Sequence, residues 1–183
     1  MRSRDATPAD LKAIASWIGS QRECELWAGP DISFPLEPHV LATQIGMPDA
    51  LNVVLEDGHG LAAFGQALAR SPGRAHLARV IVRPDARGRG IGKILVQALL
   101  ARVQESGPML VTLNVYRDNA AAISLYAELG FCGAERPQDD PPSTGTWFMQ
   151  RSTDRLTAGA GDVAPRGPHQ VSSLKRNTDH TSA

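Results

Sequence analysis

The chain has 183 residues, of which 42% are hydrophobic and 21% are charged. That length and mixture are typical of one globular domain with a sizeable core. The 19 basic and 19 acidic residues give a net charge of +0, so the composition favours neither nucleic acid nor an anionic membrane as a partner. No run approaches the roughly 20 apolar residues of a membrane helix.

The cysteines and the N-terminus bear on the cellular compartment. Cys24 and Cys132 form no CxxC or Cys/His pattern, which predicts reduced thiols and no metal site. The first residues, MRSRDATPADL, contain no apolar segment of signal-peptide length. The sequence therefore predicts a cytoplasmic protein.

The first fifty residues predict a short strand and two helices. A strand is predicted over Arg2–Ala6, and a helix then begins at Thr7 as N-cap, with an apolar stripe that reaches Ile18. The stretch Trp27–Leu36 is rich in proline and glycine and predicts a loop. A second short helix is predicted over His39–Met47.

The middle of the chain predicts a hairpin, a further strand and the longest helix. Leu51–Glu56 and Leu61–Ala69 are joined by Asp-Gly-His-Gly, which is typical of a hairpin. Ala75–Val82 is a further strand that ends before Pro84. Apolar residues at i, i+3 and i+4 spacing predict a helix over Ile91–Gln104.

The last elements complete an alternation of strands and helices. Met109–Val115 predicts a strand and Ala120–Leu129 a helix that Gly130 ends. Cys132–Arg136 and Thr146–Gln150 are the closing strands. A meander followed by a β-α-β-α-β run predicts an α/β protein with a mixed sheet and helices on its faces.

The composition changes once, near Arg151. Residues 152–183 are rich in Ser, Thr, Gly, Pro and charge and show no apolar period. Such a segment buries too little surface to offset its ordering entropy. The sequence predicts one domain over residues 1–151 and a disordered tail over residues 152–183.

A glycine-rich segment, Arg87–Gly92, joins a predicted strand to the long helix. Glycines let backbone amides approach an anion, and a helix N-terminus adds unpaired N–H groups. A dinucleotide fingerprint fails because the third glycine position, counted from Gly88, is Lys93. A phosphate-binding NTPase loop fails because Ile94 follows that lysine. An ordinary glycine-rich turn remains the alternative.

The charge near this segment favours a bound anion. Each cation at a helix N-terminus opposes the helix dipole by ~0.3–1 kcal/mol, and a purely structural helix start favours Asp or Glu. Four cations crowd this one: Arg83, Arg87, Arg89 and Lys93. Their clustering indicates a polyphosphate ligand such as the nucleotide part of coenzyme A.

A second segment strengthens this interpretation. Asn114–Asn119 leads into a helix that contains Ala-Ile-x-Leu-Tyr126, followed by Gly130-Phe131. Together with Val82-Arg-Pro and the Arg87–Gly92 loop, this segment resembles the GNAT N-acetyltransferases. The resemblance implies the GNAT fold, with a mixed, mostly antiparallel sheet of six to seven strands and helices on both faces.

The resemblance also implies roles for individual residues. The strand backbone at Val80, Ile81 and Val82 would pair with the pantetheine arm of acetyl-CoA. Tyr126 would protonate the departing thiolate, and Asn119 would contact the coenzyme. The pyrophosphate would lie on the loop formed by Arg87, Gly88, Arg89, Gly90, Ile91 and Gly92. Taken alone, Asn119 is equally well a helix N-cap, and an isolated Tyr126 is by default a core residue.

One position departs from the subgroup that the chain most resembles, the ribosomal-protein alanine acetyltransferases. That subgroup carries a glutamate, proposed as general base, where this chain has Asn114, and an amide cannot accept a proton at neutral pH. The difference favours an amine of low pKa or a water relay. Other candidate bases, each also explained as an ordinary residue, are Glu23, Glu25, Asp31 and His76.

The predicted function is direct transfer of acetyl from acetyl-CoA to an amine, of a small molecule or of a peptide or protein N-terminus. No metal, nucleic acid or membrane is implied, and the protein is expected to be a monomer or homodimer. Two alternatives are a non-catalytic acyl-CoA-binding module and a nucleotide-binding protein of another fold. In this family the Trp27–Leu36 region usually lines the acceptor pocket; an apolar pocket wall and a packed cap over the core both fit it.

Overall fold

The computed structural model describes residues 1–107, 110–141 and 143–153. Ser152 and Thr153 are therefore the only described residues of the predicted tail, and the rest of that prediction lies outside the described residues. Met109, which was predicted to begin a strand, lies outside them too. The prediction of a domain that ends at Arg151 stays a prediction.

A seven-stranded sheet organises the domain, in the order β1-β2-β3-β4-β5-β7-β6. The β4 and β5 strands are parallel neighbours, and every other neighbouring pair is antiparallel. The predicted mixed, mostly antiparallel sheet is confirmed. Its strands are β1 (Arg2–Asp5), β2 (Ala50–Asp57), β3 (Gly60–Ser71), β4 (Arg74–Val82), β5 (Leu110–Tyr116), β6 (Cys132–Gly133) and β7 (Thr146–Ser152).

Helices cover both faces of the sheet, as predicted. Successive strand residues point to opposite faces, so Val54 packs in one core and its neighbours Val53 and Leu55 in the other. The first three helices cover the Val54 face, and the last two cover the opposite face. The helices are α1 (Leu11–Ala15), α2 (Gln21–Ala28), α3 (Pro38–Gln44), α4 (Ile91–Glu105) and α5 (Ala120–Glu128).

The N-terminal helices differ from the prediction in two ways. The helix predicted from Thr7 to Ile18 is shorter, because residues 8–10 form a 3₁₀ turn and α1 ends at Ala15. The sequence analysis missed α2 entirely. Its start is marked by Ser20, whose hydroxyl accepts from the Glu23 N–H at 3.2 Å, while the Glu23 carboxylate accepts from the Gly19 N–H at 2.7 Å. This Ser-x-x-Glu pattern is a helix-start signal.

The strand predicted over Cys132–Arg136 is only two residues long. From Ala134 the chain leaves the sheet and enters a loop that buried charge holds in place. Arg74 reaches this loop from β4, with Nη2 at 2.7 Å from Asp139 Oδ2 and 3.5 Å from Asp140 Oδ1. Cys24 is buried and Cys132 is exposed, and they do not form a disulfide with each other.

The parallel strands β4 and β5 separate part of the way along their length. They pair from Arg74 with Leu110 to Leu77 with Leu113, and both then continue without pairing to each other. Where they separate, Arg79 has a positive φ of 54°, and the register between β3 and β4 shifts. The strand therefore bulges at this point. Trp27 at the end of α2 holds the bulge, because its Nε1–H donates to the Arg79 carbonyl at 2.9 Å.

Candidate active site

A cleft of about 230 Å³ lies between the separated ends of β4 and β5. Its walls are Val80 and Val82 from β4, Asn114 from β5, and Asn119 and Tyr126 from the α5 segment. A second pocket of about 430 Å³ shares the Val80–Val82 strand and Asn119 and extends to Arg87 at the start of the glycine loop. The cleft thus connects the sheet interior to that loop.

The β4 backbone presents free polar groups to this cleft. The Arg83 N–H donates to the Ala62 carbonyl of β3, and amide directions alternate along a strand. Consequently Val82 and Val80 direct their N–H and C=O groups away from β3 and toward the cleft. Here β5 no longer pairs with β4, so the Val80 groups and the Val82 N–H are available to an added strand. The Val82 carbonyl accepts from Arg87 Nε.

The glycine loop is open to solvent and rich in unpaired donors. Gly88 and Gly90 have φ of 75° and 76°, and a Cβ built on either would have no atom within 4 Å. No described residue accepts from the backbone N–H groups of residues 88–92. Gly92 has a different role, since its Cβ would lie 3.2 Å from Leu125 Cδ1. Its missing side chain lets α4 pack closely against α5.

The four cations predicted around this loop separate into two pairs. Arg83 is neutralised by Asp57 at 3.0 Å and Asp85 at 2.6 Å. Lys93 lies 3.0 Å from Glu128.

The remaining two cations have no acidic partner among the residues that the structure describes. Arg87 donates from Nε to the Val82 carbonyl at 3.2 Å, and Arg89 has no hydrogen bond or ion pair with any described residue. Of the four cations predicted to attract an anion, only Arg87 and Arg89 therefore have a charge that no described carboxylate offsets.

Asn119 combines its two possible roles. Its Oδ1 accepts from the Ala122 N–H at 3.1 Å, so it is the N-cap of α5. It is also exposed and lines both the cleft and the neighbouring pocket. Because the cap uses Oδ1, the Nδ2 donors stay free for a ligand.

Tyr126 lies at the inner wall of the cleft and is 8% exposed. Its ring packs edge-on against Phe131, with the centroids 5.8 Å apart. Burial alone raises the pKa of Tyr126 to about 12, with no hydrogen bond contributing. The phenol is therefore protonated at neutral pH. Tyr126 is thus both packed in the core and placed beside the cleft.

Asn114 cannot serve as the missing base. Its Oδ1 accepts from Arg136 Nη2 at 2.6 Å, which fixes the amide orientation. The NH₂ group of the Asn114 amide is then the part that stays free at the cleft wall.

The other four candidate bases do not lie together at one site. Asp31 is exposed and lines none of the pockets described here. Glu23 accepts from the Gly19 N–H. Glu25 lines a pocket of about 200 Å³ that adjoins the cleft and also contains His76, the fourth candidate.

His76 is buried and neutral. Its Nδ1 lies 2.9 Å from Thr112 Oγ1, which itself donates to the Ala75 carbonyl at 3.3 Å. Thr112 Oγ1 thus connects the imidazole to the β4 backbone. Burial lowers the pKa of His76 to about 3, and repulsion from Arg70, Arg136, Arg74 and Arg79 adds to this. So low a pKa makes it a weak base.

The Trp27–Leu36 segment has both of the roles considered for it, in different parts. Trp27 to Pro30 line the pocket that adjoins the cleft. Ile32 is buried in the core under α1–α3, and Phe34 and Leu36 pack against that core. Trp27 and Ala28 belong to α2 rather than to a loop.

Sequence reasoning missed two residues at this site, Arg79 and Tyr116. Arg79 lies on the bulge and lines both the cleft and the adjoining pocket. The Tyr116 hydroxyl donates to the Glu25 carbonyl at 3.4 Å, and Arg22 stacks over its ring at 5.4 Å. A bulge without glycine has no local sequence signal, so only the strand pairing reveals Arg79.

Neither a metal-binding cluster nor a membrane-spanning helix occurs among the described residues. No group of three or more His, Cys, Asp or Glu side chains within residues 1–107, 110–141 and 143–153 is placed to hold a metal ion. In the same part of the chain, no helix has the length and apolarity needed to cross a membrane.

The fold and the cleft agree with the class of protein that sequence comparison identifies. Residues 14–131 match the model of the Acetyltransferase (GNAT) family. The peptidyl-lysine N-acetyltransferase YiaC of Escherichia coli is 32% identical over 149 residues, which are 80% of this chain and 93% of that protein. The chain belongs to the GNAT acetyltransferase family. Other curated relatives match over shorter stretches, and the chain spans 38% of the length of one and 46% of another.

Solved structures show the same fold. The ribosomal-protein-S18-alanine N-acetyltransferase of Escherichia coli superposes with a TM-score of 0.62 at 26% identity, over 83% of this chain and 93% of that one. A GNAT phosphinothricin acetyltransferase from Sinorhizobium meliloti, in complex with AcCoA, has a TM-score of 0.66 at 23% identity, over 82% and 87% of the two chains.

Proposed function

We propose that the protein transfers an acetyl group from acetyl-CoA directly to the amine of an acceptor. The observation that carries this is the separation of β4 from β5, which leaves an open cleft with a donor-rich glycine loop at one end and Tyr126 inside. The GNAT family membership gives the class of reaction. Neither cysteine lines the cleft, so no acyl-cysteine intermediate is part of the proposal.

The chain fits acetyl-CoA along the length of this cleft. The unpaired N–H groups of residues 88–92, with Arg87 and Arg89 beside them, suit the pyrophosphate. The missing Cβ atoms of Gly88 and Gly90 leave the space through which phosphate oxygens approach those amides. The backbone of Val80 and Val82 would bond the pantetheine arm as an added strand. The free Nδ2 of Asn119 would donate to the coenzyme.

The chemistry requires one new bond and the loss of one old bond. The amine nitrogen attacks the thioester carbonyl, the C–S bond breaks with its electron pair on sulfur, and one proton passes in net from nitrogen to sulfur. A Val82 N–H would stabilise the charge that grows on the carbonyl oxygen. Tyr126 would donate its hydroxyl proton toward sulfur while negative charge develops there.

Residues of the cleft and of the adjoining pocket also indicate the protonation state of the acceptor. Asn114 is held by Arg136, and His76 has its pKa lowered to about 3, so neither is a strong base. An α-amine, with a pKa of about 7.7–8.0, is neutral in an appreciable fraction at physiological pH. We infer that such an amine enters neutral and loses its proton through water after the attack.

The acceptor class is also a proposal. The relatives described above are named for acetylation of peptidyl lysine, of ribosomal-protein alanine and of phosphinothricin. We propose that the acceptor here is a small-molecule amine or a peptide or protein N-terminus, acetylated in the cytoplasm by a monomer or homodimer.

Thiol release from acetyl-CoA, measured with a panel of amines and peptides, tests the proposal. Acceptor-dependent release at saturating acetyl-CoA, with an N-acetylated product detected by mass spectrometry, would support it. Calorimetric binding of acetyl-CoA without release for any acceptor would instead favour the non-catalytic acyl-CoA-binding module. Absence of acetyl-CoA binding would contradict both.

A further inference from the structure

The pocket that adjoins the cleft has an unusual balance of charge. It has a volume of about 200 Å³ and shares Trp27, Arg79, Asn114 and Tyr116 with the cleft. Because an acceptor must reach the thioester from outside the coenzyme channel, this adjoining pocket is where the acceptor would lie. We call it the basic pocket.

Arg79 contributes a charge without an acidic partner. Its Nη1 donates to the neutral Gln66 amide at 2.9 Å, and its buried Nε has no hydrogen-bond partner. No described carboxylate forms an ion pair with it. Burying an unpaired cation costs free energy, and here the bulge fixes the side chain at the pocket wall.

Arg70 adds a second unpaired cation to the same pocket. It lies on β3, is exposed, and makes no hydrogen bond or ion pair with any described residue. The burial of Arg79, followed by repulsion from Arg70, lowers the pKa of Arg79. The two guanidinium groups therefore repel each other, and neither forms a salt bridge with a described carboxylate that would offset the repulsion.

The remaining charges nearby do not cancel this pair. Arg74 and Arg136 are balanced by Asp139 and Asp140. The one carboxylate among the residues that line the basic pocket is Glu25. It accepts from Gln21 Nε2 at 3.0 Å and lies 4.0 Å from Arg22, so it is engaged on its own helix.

We propose, building on the acetyl transfer proposed above, that the basic pocket binds a carboxylate of the acceptor through Arg79 and Arg70. The acceptor is thus an amine that carries a carboxylate close by, as a free amino acid does. Guanidinium groups pair with carboxylates through two parallel hydrogen bonds, and the unpaired Arg79 Nε supplies one such donor. Asn114 and Tyr116, at the border with the cleft, would lie beside the amine.

The test compares matched acceptors with and without this carboxylate, and each rate is expressed per concentration of neutral amine, because a free amino acid has a more basic amine than its amide. Free L-amino acids and their amides are assayed for thiol release at saturating acetyl-CoA, alongside tripeptides with Asp or Asn in the second position. We expect kcat/KM to be at least about tenfold higher for the acid of one matched pair, since a charged hydrogen bond is worth about that factor. A preference in the amino-acid pair identifies an α-carboxylate, and one in the tripeptide pair identifies an acidic side chain. Equal rates for acids and amides in both pairs would overturn the inference while leaving acetyl transfer intact.

Variants connect that preference to the pocket. Arg70→Gln and Arg79→Gln should each lower the acid-to-amide ratio of kcat/KM by about tenfold, mainly through KM, whereas Arg2→Gln on the far edge strand should leave the ratio unchanged. Because Arg79→Gln could unfold the bulge, the exposed Arg70 keeps the test decisive. Calorimetry on the CoA-saturated protein gives the same comparison without turnover. Acid-selective binding with no thiol release would support the pocket and contradict the transferase, and an unchanged ratio in Arg70→Gln would overturn the pocket.

Discussion

At the residue scale, the environment of Tyr126 determines what its hydroxyl does. Burial raises its pKa to about 12, whereas a thiol titrates near 8.5. Complete proton transfer from this phenol to a free thiolate is therefore uphill. The hydroxyl contributes as a hydrogen-bond donor while the C–S bond breaks. The proton that sulfur finally receives is the one that the amine loses.

Tyr126→Phe should lower kcat by about tenfold or more, since a hydrogen bond to a developing charge is worth about 1.5–3 kcal/mol. The Phe ring preserves the packing against Phe131, so the coenzyme Kd and Tm should change little. The measurement is kcat at saturating acetyl-CoA with any working acceptor. Turnover within twofold of the parent would exclude Tyr126 from the reaction.

His76 predicts a loss of stability in mild acid. Its folded pKa is about 3 and the unfolded value is about 6.5, so between these values the unfolded state binds more protons. The contribution is complete above pH 6.5 and decreases as the pH falls, by up to about 1.4 kcal/mol per pH unit. The free energy of unfolding, measured in urea, should be about 2 kcal/mol lower at pH 5 than at pH 6.5 because of His76.

The control for that prediction is a second histidine. His76→Gln should remove the extra acid sensitivity, and His39→Gln, at an exposed position, should retain it. An identical pH dependence in the parent and in His76→Gln would show that other groups cause the acid sensitivity.

At the scale of elements, the glycine loop and the start of α4 form one unit. Gly90 is the N-cap of α4, with φ of 76°. A Cβ built on Gly90 would have no atom near it, and the backbone amides around Gly90 are unpaired within the described residues. This backbone conformation therefore leaves room for the proposed pyrophosphate.

Gly90→Val should weaken acetyl-CoA binding by about 100-fold or more, because the branched side chain would occupy the path to the amides. Part of the effect is strain, since a non-glycine residue at positive φ costs about 1–3 kcal/mol. Gly73→Val is the matched control, because Gly73 also has φ of 76° and an open Cβ direction but lies in the β3–β4 turn. Calorimetric Kd values that change equally in the two variants would attribute the loss to strain alone.

The sequence predicted those elements whose signals are local. The Arg87–Gly92 loop, the α4 stripe and Gly130 after α5 are each written within a few residues. The point where β4 leaves β5 is not predictable in this way, since it depends on pairing between strands about 36 positions apart, as in His76 with Thr112. Arg79 and the basic pocket were missed for that reason. By contrast, α2 had a local signal in Ser20 and Glu23 that went unused.

At the scale of the whole molecule, β7 marks where the described chain ends. It pairs with β5 from Tyr116–Thr146 to Leu110–Ser152, and Thr153 after it is 7% exposed. The sheet therefore includes Ser152, one residue beyond the predicted domain boundary, and a sensible truncation keeps Thr153.

A chain cut after Thr153 should fold and bind acetyl-CoA like the full chain, because residues 154–183 have no core-forming pattern. We expect Tm to change by less than about 2 °C and the coenzyme Kd to stay within twofold. Differential scanning calorimetry and titration of both lengths give these values. A drop in Tm of many degrees would show that the removed segment is an ordered part of the domain.

The separation of β4 from β5 also has a consequence for biosynthesis. Everything up to Glu105, including β4, the glycine loop and α4, precedes Asn119 and Tyr126 in the order of synthesis. The later part joins the earlier sheet through only the four residue pairs from Arg74–Leu110 to Leu77–Leu113, whereas β5 pairs with β7 at seven positions. The chain therefore contains its proposed phosphate-binding half first, and the second cleft wall, formed by β5 and α5, follows in the later half. The proposed cleft is consequently complete only once that later half has been added to the sheet.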